Sequence, residues 1–212
     1  MEFDQRRAQL ILALRKIGVT DTAVMAVIEA IPREIFVPSS LRKHAYVDAS
    51  LPIGYEQTLS QPSVVGIMTQ ALDINDRMKV LEVGTGSGYQ TAILSKLARR
   101  VYTIERHQPL LTEAEARFNE LQISNITTKC GDGTIGWKEQ IPFDRIIVTA
   151  ASSDLPPVLI NQLNVGGIMV APVGLDETTH TIMRVTRKQN GLETKDLRDV
   201  NFVPLIPAEV ML

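Results

Sequence analysis

The chain has 212 residues, 44% of them hydrophobic and 22% charged, with a formal net charge of −2. That length suits one domain with at most a modest extension, and the composition is globular rather than disordered. The charge balance offers no basic groove for nucleic acid and no polybasic face for a membrane. A single cysteine, Cys130, excludes an internal disulfide framework, and the scattered His44, His107 and His180 leave no ligand-spaced metal cluster, so no metal is expected. No stretch approaches the ~20 apolar residues of a membrane span, and the N-terminus does not read as a secretory signal. The expectation is a soluble cytoplasmic protein, monomeric by default.

Residues 1–50 read as helical. Leu10, Ile11, Leu14 and Ile17 fall at helical spacing up to Gly18. Thr20 or Asp21 can cap a second helix carrying Val24, Val27, Ile28 and Ile31 as far as Pro32. In LPIGYEQTLSQP (51–62), two prolines, a glycine and several hydroxyl and amide side chains argue against a regular element. VVGIMTQAL (64–72) then suits a helix packed on a core.

From residue 79 the pattern changes. KVLEV (79–83), VYTIE (101–105), ITTKC (126–130), DRIIVT (144–149) and GGIMVAPV (166–173) are short β-branched runs. Helical stretches of about 8–14 residues are expected between them. This alternation predicts a doubly wound α/β fold, with parallel strands, right-handed crossovers and helices on both faces. TIMRVTRK (181–188) and LETKDLRDVNFV (192–203) flank Asn190-Gly191, a tight-turn pair, and predict an antiparallel hairpin at the sheet edge. The expected organisation is a core over 63–212 with a helical region and loop, 1–62, packed on it as one structural domain.

The sharpest local signal follows the first of these strands. Gly84, Gly86 and Gly88 alternate through VLEVGTGSGYQ (80–90), with Thr85 between the first two, and a helix starts at Tyr89. Glycine lacks Cβ, so a ligand can lie against the backbone at the strand's carboxyl end. The spacing is not that of a dinucleotide fingerprint, and the ligand need carry no phosphate. Glu105, about twenty residues on, can accept from both hydroxyls of a ribose. Asp132 and Gly133 follow the third strand, where an acid can reach an adenine edge, and Thr149 follows the fourth. Each piece is weak alone, but the ordered set points to an adenosyl ligand at the rim of an open sheet. It resembles the Rossmann-like fold of class I S-adenosylmethionine-dependent methyltransferases, which implies S-adenosylmethionine as cofactor and S-adenosylhomocysteine as product.

The wider pattern narrows the family. IPREIFVP (31–38), LPIGYEQTLSQP (51–62), VLEVGTGSGYQTAIL (80–94), GDG (131–133), PFDRIIVTAA (142–151), LNVGGIMVAPVG (163–174) and FVPL (202–205) span nearly the whole chain. In them it resembles the bacterial protein-L-isoaspartate (D-aspartate) O-methyltransferases. The glycine turn is shared by many methyltransferases, whereas the T-x-S-Q-P segment with LPIG is particular to this family. The resemblance implies methylation of the free α-carboxylate of L-isoaspartyl, and D-aspartyl, residues in damaged proteins and peptides, with repair through a succinimide. It implies that Ser60 is the active-site hydroxyl, orienting the substrate carboxylate without a covalent intermediate. Thr58 would shape the substrate side of the same loop, and Leu59, Ser60 and Gln61 would contact the cofactor. Substrate recognition is expected to be mostly through backbone, near Ile53-Gly54 and Val203-Pro204. The tail after Leu205 departs from the family pattern, so no contact is carried over there.

Other readings remain at this stage. Ser60 before Pro62 also reads as a helix cap. Cys130 reads as a small buried hydrophobe, Trp137 as rim or core, and His107 as a helix-start histidine. A methyltransferase for another acceptor, a non-catalytic cofactor-binding module and a dinucleotide dehydrogenase are the competing functions. Thr149-Ala150-Ala151-Ser152 stands where a nucleic-acid amino methylase usually carries its N/D-P-P-Y/F motif.

Overall fold

A computed structural model of the protein describes residues 2–176 and 179–207. Helices α1 (Glu2–Lys16) and α2 (Thr22–Ala30) match the two apolar stripes. Gly18, at φ +97°, ends the first, and the Asp21 carboxylate caps the second by accepting from the Ala23 and Val24 amides. Two short 3₁₀ turns follow, Arg33–Phe36 and Ser39–His44.

The segment read as irregular is in fact a hairpin. Strand β1 (Leu51–Gly54) pairs antiparallel with β2 (Gln57–Leu59). Its tip, Tyr55-Glu56, holds two non-glycine residues at positive φ, the backbone of a tight primed turn. Helix α3 (Pro62–Ala71) starts directly after it.

The remaining elements are β3 (Lys79–Val83), α4 (Tyr89–Leu97), β4 (Arg100–Glu105), α5 (Gln108–Glu120), β5 (Ile126–Cys130), β6 (Phe143–Val148), α6 (Pro157–Ile160), β7 (Leu163–Val173), β8 (His180–Lys188) and β9 (Gly191–Val200). They form one seven-stranded sheet in the order β5-β4-β3-β6-β7-β8-β9, parallel from β5 to β7 and antiparallel over the last two pairs. The doubly wound fold and its edge hairpin are present. The expected crossover helices are present only after β3 and β4. After β5 the chain makes two 3₁₀ turns, Gly133–Ile135 and Lys138–Gln140, and after β6 only the four-residue α6. Gly133, Gly136 and Pro142 break the first connection and Pro156-Pro157 shorten the second.

Central strands β3 and β6 are covered on both faces. Val80, Leu81, Ile146, Ile147 and Val148 have no exposure, as an unbroken apolar run in a parallel sheet requires. The N-terminal layer shares its core with the sheet unit: Leu14, Ile28 and Phe36 cluster with Tyr89, Ala92 and Ile93 of α4. Among the described residues no helix is long and apolar enough to cross a membrane, and no group of three metal-ligating side chains gathers.

Candidate active site

Sheet register assembles one half of the site. Strand β3 stands between β4 and β6, where the strand order reverses and open α/β sheets leave a crevice. Val83 is opposite Ile104 on one side and Val148 on the other, so Gly84, Glu105 and Thr149 emerge side by side. The Gly84 amide donates to the Ile104 carbonyl at 2.9 Å, and the Thr149 amide to the Val83 carbonyl at 2.9 Å. The Thr149 hydroxyl reaches the Gly84 carbonyl at 2.7 Å.

Glycine is required here by space as well as by φ. Gly84 is at φ +99°, and a Cβ on it would stand 2.3 Å from Thr149 Oγ1. A Cβ on Gly133 would stand 2.4 Å from Val83 Cγ1. At Gly86 it would meet Ile53 Cδ1 at 3.3 Å, which seats the β1–β2 hairpin on the turn. Glu105 is buried and holds the turn directly: its Oε2 accepts from the Gly86 amide at 2.8 Å and its Oε1 from the His107 amide at 3.0 Å. Each oxygen keeps acceptor capacity for a ligand hydroxyl. With its amide already given to a carboxylate, Gly86 is a poor phosphate donor, which fits a nucleoside rather than a pyrophosphate.

Beneath the turn, Glu82 is fully buried. Its Oε2 accepts from the hydroxyls of Thr91 and Thr103, and Thr103 in turn contacts the Thr85 hydroxyl at 2.6 Å. Glu82 Oε1 has no partner among the described residues. Burial pushes the Glu82 pKa up to about 8 against these hydrogen bonds, so the group is mostly protonated at neutral pH.

The other half comes from the segment before α3. Thr58, Leu59 and Ser60 face Gly84, Thr85, Gly86, Glu105, Gly133 and Thr149 across one cleft of about 940 Å³, open mouth included. Val203 and Pro204 close its far wall. They lie on a strap bound to the loop after β6: the Ala151 amide donates to the Val203 carbonyl at 2.8 Å, and the Leu205 amide to the Ala151 carbonyl at 2.7 Å.

Ser60 is not the helix cap. Gln61 takes the N-cap position without a side-chain cap bond, Pro62 opens α3, and the Ser63 amide donates to Asp48 Oδ1 at 2.8 Å from fifteen residues upstream. The Ser60 hydroxyl makes no hydrogen bond to any described residue, while its carbonyl accepts from Arg33 Nη2 at 2.7 Å. Arg33 and Asp48 had no local sequence signal, because their partners lie far along the chain.

Several residues read from sequence lie outside the cleft lining. Gly88 serves packing: at φ +89°, its Cβ would stand 2.7 Å from the Phe118 ring of α5. Asp132 caps the Gly133–Ile135 turn, its Oδ1 accepting from the Thr134 amide at 2.8 Å and hydroxyl at 2.7 Å. Gln61 Nε2 donates to Ser63 Oγ at 2.9 Å. Ile53 packs on the turn, and Gly54, at φ +96°, leads into the hairpin tip. Cys130 is exposed rather than buried, since β5 is an edge strand. Trp137 is core, edge-on to Tyr102 at 5.4 Å. His107 occupies the N-cap position of α5 and stacks on Tyr55 at 5.6 Å.

Comparison with known proteins agrees with this geometry. The chain is 56% identical over 203 residues to the protein-L-isoaspartate O-methyltransferase of Rhodospirillum centenum, covering 95% of this chain and 92% of that one. It is 54% identical over 208 residues to the protein of the same name from Rhodospirillum rubrum, covering 97% and 95%. A solved protein-L-isoaspartate O-methyltransferase superposes with a TM-score of 0.82 at 28% identity, over 93% of this chain and 65% of that one. A putative one from Plasmodium falciparum, in complex with S-adenosyl-L-homocysteine, shares the fold at a TM-score of 0.81 and 24% identity, over 93% and 97%. Residues 5–210 match the family described as protein-L-isoaspartate(D-aspartate) O-methyltransferase. Sheet rim, glycine turn and pre-helix segment thus occur together along a matched length of nearly the whole chain, which belongs to the protein-L-isoaspartate(D-aspartate) O-methyltransferase family.

Proposed function

We propose that this protein transfers the methyl group of S-adenosylmethionine to the free α-carboxylate of L-isoaspartyl residues, and of D-aspartyl residues, in damaged proteins and peptides. The observation that carries this reading is an unbonded Ser60 hydroxyl facing the glycine turn and Glu105 across one cleft, in a chain of this family.

S-adenosylmethionine supplies, when bound, an electrophilic methyl group on a sulfonium with a neutral leaving thioether. Glu105 would accept from the ribose hydroxyls, and Gly84, Gly86 and Gly133 leave room for the nucleoside against backbone. A peptide carboxylate has a pKa near 3.5–4 and is already ionised at neutral pH, so no general base is needed. What remains is alignment and exclusion of water. Ser60 donates one neutral hydrogen bond to the substrate carboxylate, which holds it without suppressing its nucleophilicity as a lysine would. Thr58 and the Val203-Pro204 strap offer polar backbone beside it, which suits a substrate defined by its linkage rather than its neighbours. The backbone amide nitrogen then attacks the ester carbonyl and releases methanol to form a succinimide, and hydrolysis of that ring gives normal aspartate in part. We also propose that residues 1–62 and 63–212 act as one structural unit, as their shared core supports. A monomer working in the cytoplasm without nucleic acid or membrane completes the proposal, in keeping with the net charge of −2.

The test offers labelled S-adenosylmethionine and two matched peptides, one with L-isoaspartate and one with aspartate at the same position. Base-labile methyl ester on the isoaspartyl peptide alone is the expected result. Transfer to neither peptide, with cofactor binding intact by calorimetry, would overturn the substrate assignment and leave the fold.

A further inference from the structure

Arg33 is one of the most deeply buried large side chains, with no exposure. No carboxylate among the described residues makes a direct ion pair with it, although the Asp48 carboxylate lies close enough to favour its charge. Its guanidinium instead forks between two main-chain carbonyls from separate segments: Nε donates to Ala45 at 2.8 Å and Nη2 to Ser60 at 2.7 Å. Its flat face lies 4.7 Å from the centre of the Tyr89 ring, at the start of α4 beside the glycine turn. Nη1 and the Tyr89 hydroxyl are both buried and meet no well-formed hydrogen-bond geometry, and the guanidinium and the phenol interact with each other.

A buried cation with no direct ion pair is a costly way to tie two carbonyls, even with the Asp48 charge nearby, and a neutral amide would do it with less desolvation. A guanidinium adds a rigid planar fork, with donors at fixed angles, that neither lysine nor glutamine reproduces. One prong ends on the carbonyl of the residue whose hydroxyl is free in the cleft. Past Ser60 the backbone is held again, by the Asp48 bond to the Ser63 amide. The Ser60–Gln61 peptide is thus pinned from both directions, and side-chain rotation is the main freedom left to the hydroxyl.

We propose that Arg33 is a positioning residue: through its bond to the Ser60 carbonyl it sets where the Ser60 hydroxyl meets the substrate carboxylate. It touches neither substrate nor cofactor. The inference rests on the role given to Ser60 above. A shift of about 1 Å in a reacting or orienting group costs on the order of 100-fold in rate, so loosening this prong acts on turnover before it acts on binding.

The experiment is a double-mutant cycle. Arg33→Lys and Arg33→Gln are each made alone and with Ser60→Ala, and folded fraction is checked by thermal unfolding. For each, kcat with an isoaspartyl peptide and the calorimetric Kd for S-adenosylhomocysteine are measured. The expected result is a fall in kcat of about 10-fold or more in the Ser60 background, a change of less than about 2-fold in the Ser60→Ala background, and a Kd within about 3-fold throughout. Equal losses of kcat in both backgrounds, or unchanged kcat in folded single variants, would overturn the proposal. So would a loss confined to cofactor affinity, or failure of both substitutions to fold, which would assign Arg33 to the scaffold. Should Ser60→Ala alone leave kcat unchanged, the role of Ser60 itself fails, and the cycle reveals that separately.

Discussion

The two walls of the cleft are built differently. The glycine-turn wall is made by neighbours in one sheet: strand register sets Gly84, Glu105 and Thr149 in a row, and backbone bonds between adjacent strand ends fix them. The Ser60 wall has no such frame. It is a short stretch between a two-strand hairpin and α3, held by Arg33 and Asp48 from other parts of the N-terminal layer. One wall is rigid by architecture and the other by individual long-range bonds. Damage to the first should therefore appear as lost cofactor affinity or lost fold, and damage to the second as lost turnover.

Gly84→Ala should break the first wall most completely. A Cβ at φ +99° and 2.3 Å from Thr149 Oγ1 adds backbone strain to a steric overlap. A stability loss of about 3 kcal/mol and cofactor binding weaker by more than about 100-fold are expected, measured by denaturant unfolding and calorimetry. Near-normal affinity would mean that the turn yields more easily than its packing suggests.

Glu82 gives the same wall a pH dependence. Its pKa rises from 4.5 unfolded to about 8 folded, so the folded state keeps its proton to higher pH. The stability associated with that proton is full below pH 4.5 and is lost as pH rises to about 8, on the order of a few kcal/mol in all. Unfolding midpoints between pH 5 and pH 9 should fall more steeply for the native chain than for Glu82→Gln. Parallel curves would show that Glu82 is ionised in its buried site.

For Glu105→Ala, the Gly86 and His107 amides lose their acceptor and a ligand's ribose loses its own. Hydrogen bonds to a charged group are worth about 1.5–3 kcal/mol. The Kd for S-adenosylhomocysteine should rise about 100-fold, with a smaller loss of stability. An unchanged Kd would remove Glu105 from the cofactor site.

Asp48→Ala is the mildest test and belongs to the other wall. Losing the bond to the Ser63 amide removes a cap worth about 1 kcal/mol. Turnover should drop by about 3-fold, with cofactor affinity changed by less than about 2-fold. A larger effect on affinity than on kcat would contradict the division between the walls.

The same division separates what could be read from sequence. Strands β3, β4, β6 and β7 were legible because a strand covered on both faces is a plain β-branched run, the half-exposed edge strand β5 by its β-branched residues alone, and the glycine turn because glycine is required by local space. The hairpin at 51–59 was not: its strands have four and three residues, Pro52 interrupts the alternation, and Tyr55-Glu56 replaces the usual Asn-Gly. The packing of Gly88 against Phe118 and the capping of the next turn by Asp132 could not be read from spacing either. Arg33 and Asp48 were invisible for a simpler reason. Their partners lie 27 and 15 residues away, and no periodicity reaches across such gaps.

The strap between Ala151 and residues 203–205 bears on how the molecule folds. Cleft-lining groups come from Gln57 at one end to Ile206 at the other. Bringing such distant groups together carries a loop-closure cost, as the β3–β6 pairing does within the sheet. A partly folded chain with its sheet in place but its strap undocked would present the glycine turn with one wall missing. Cofactor affinity is therefore expected to drop when the strap is undocked, which makes it a readout of complete assembly.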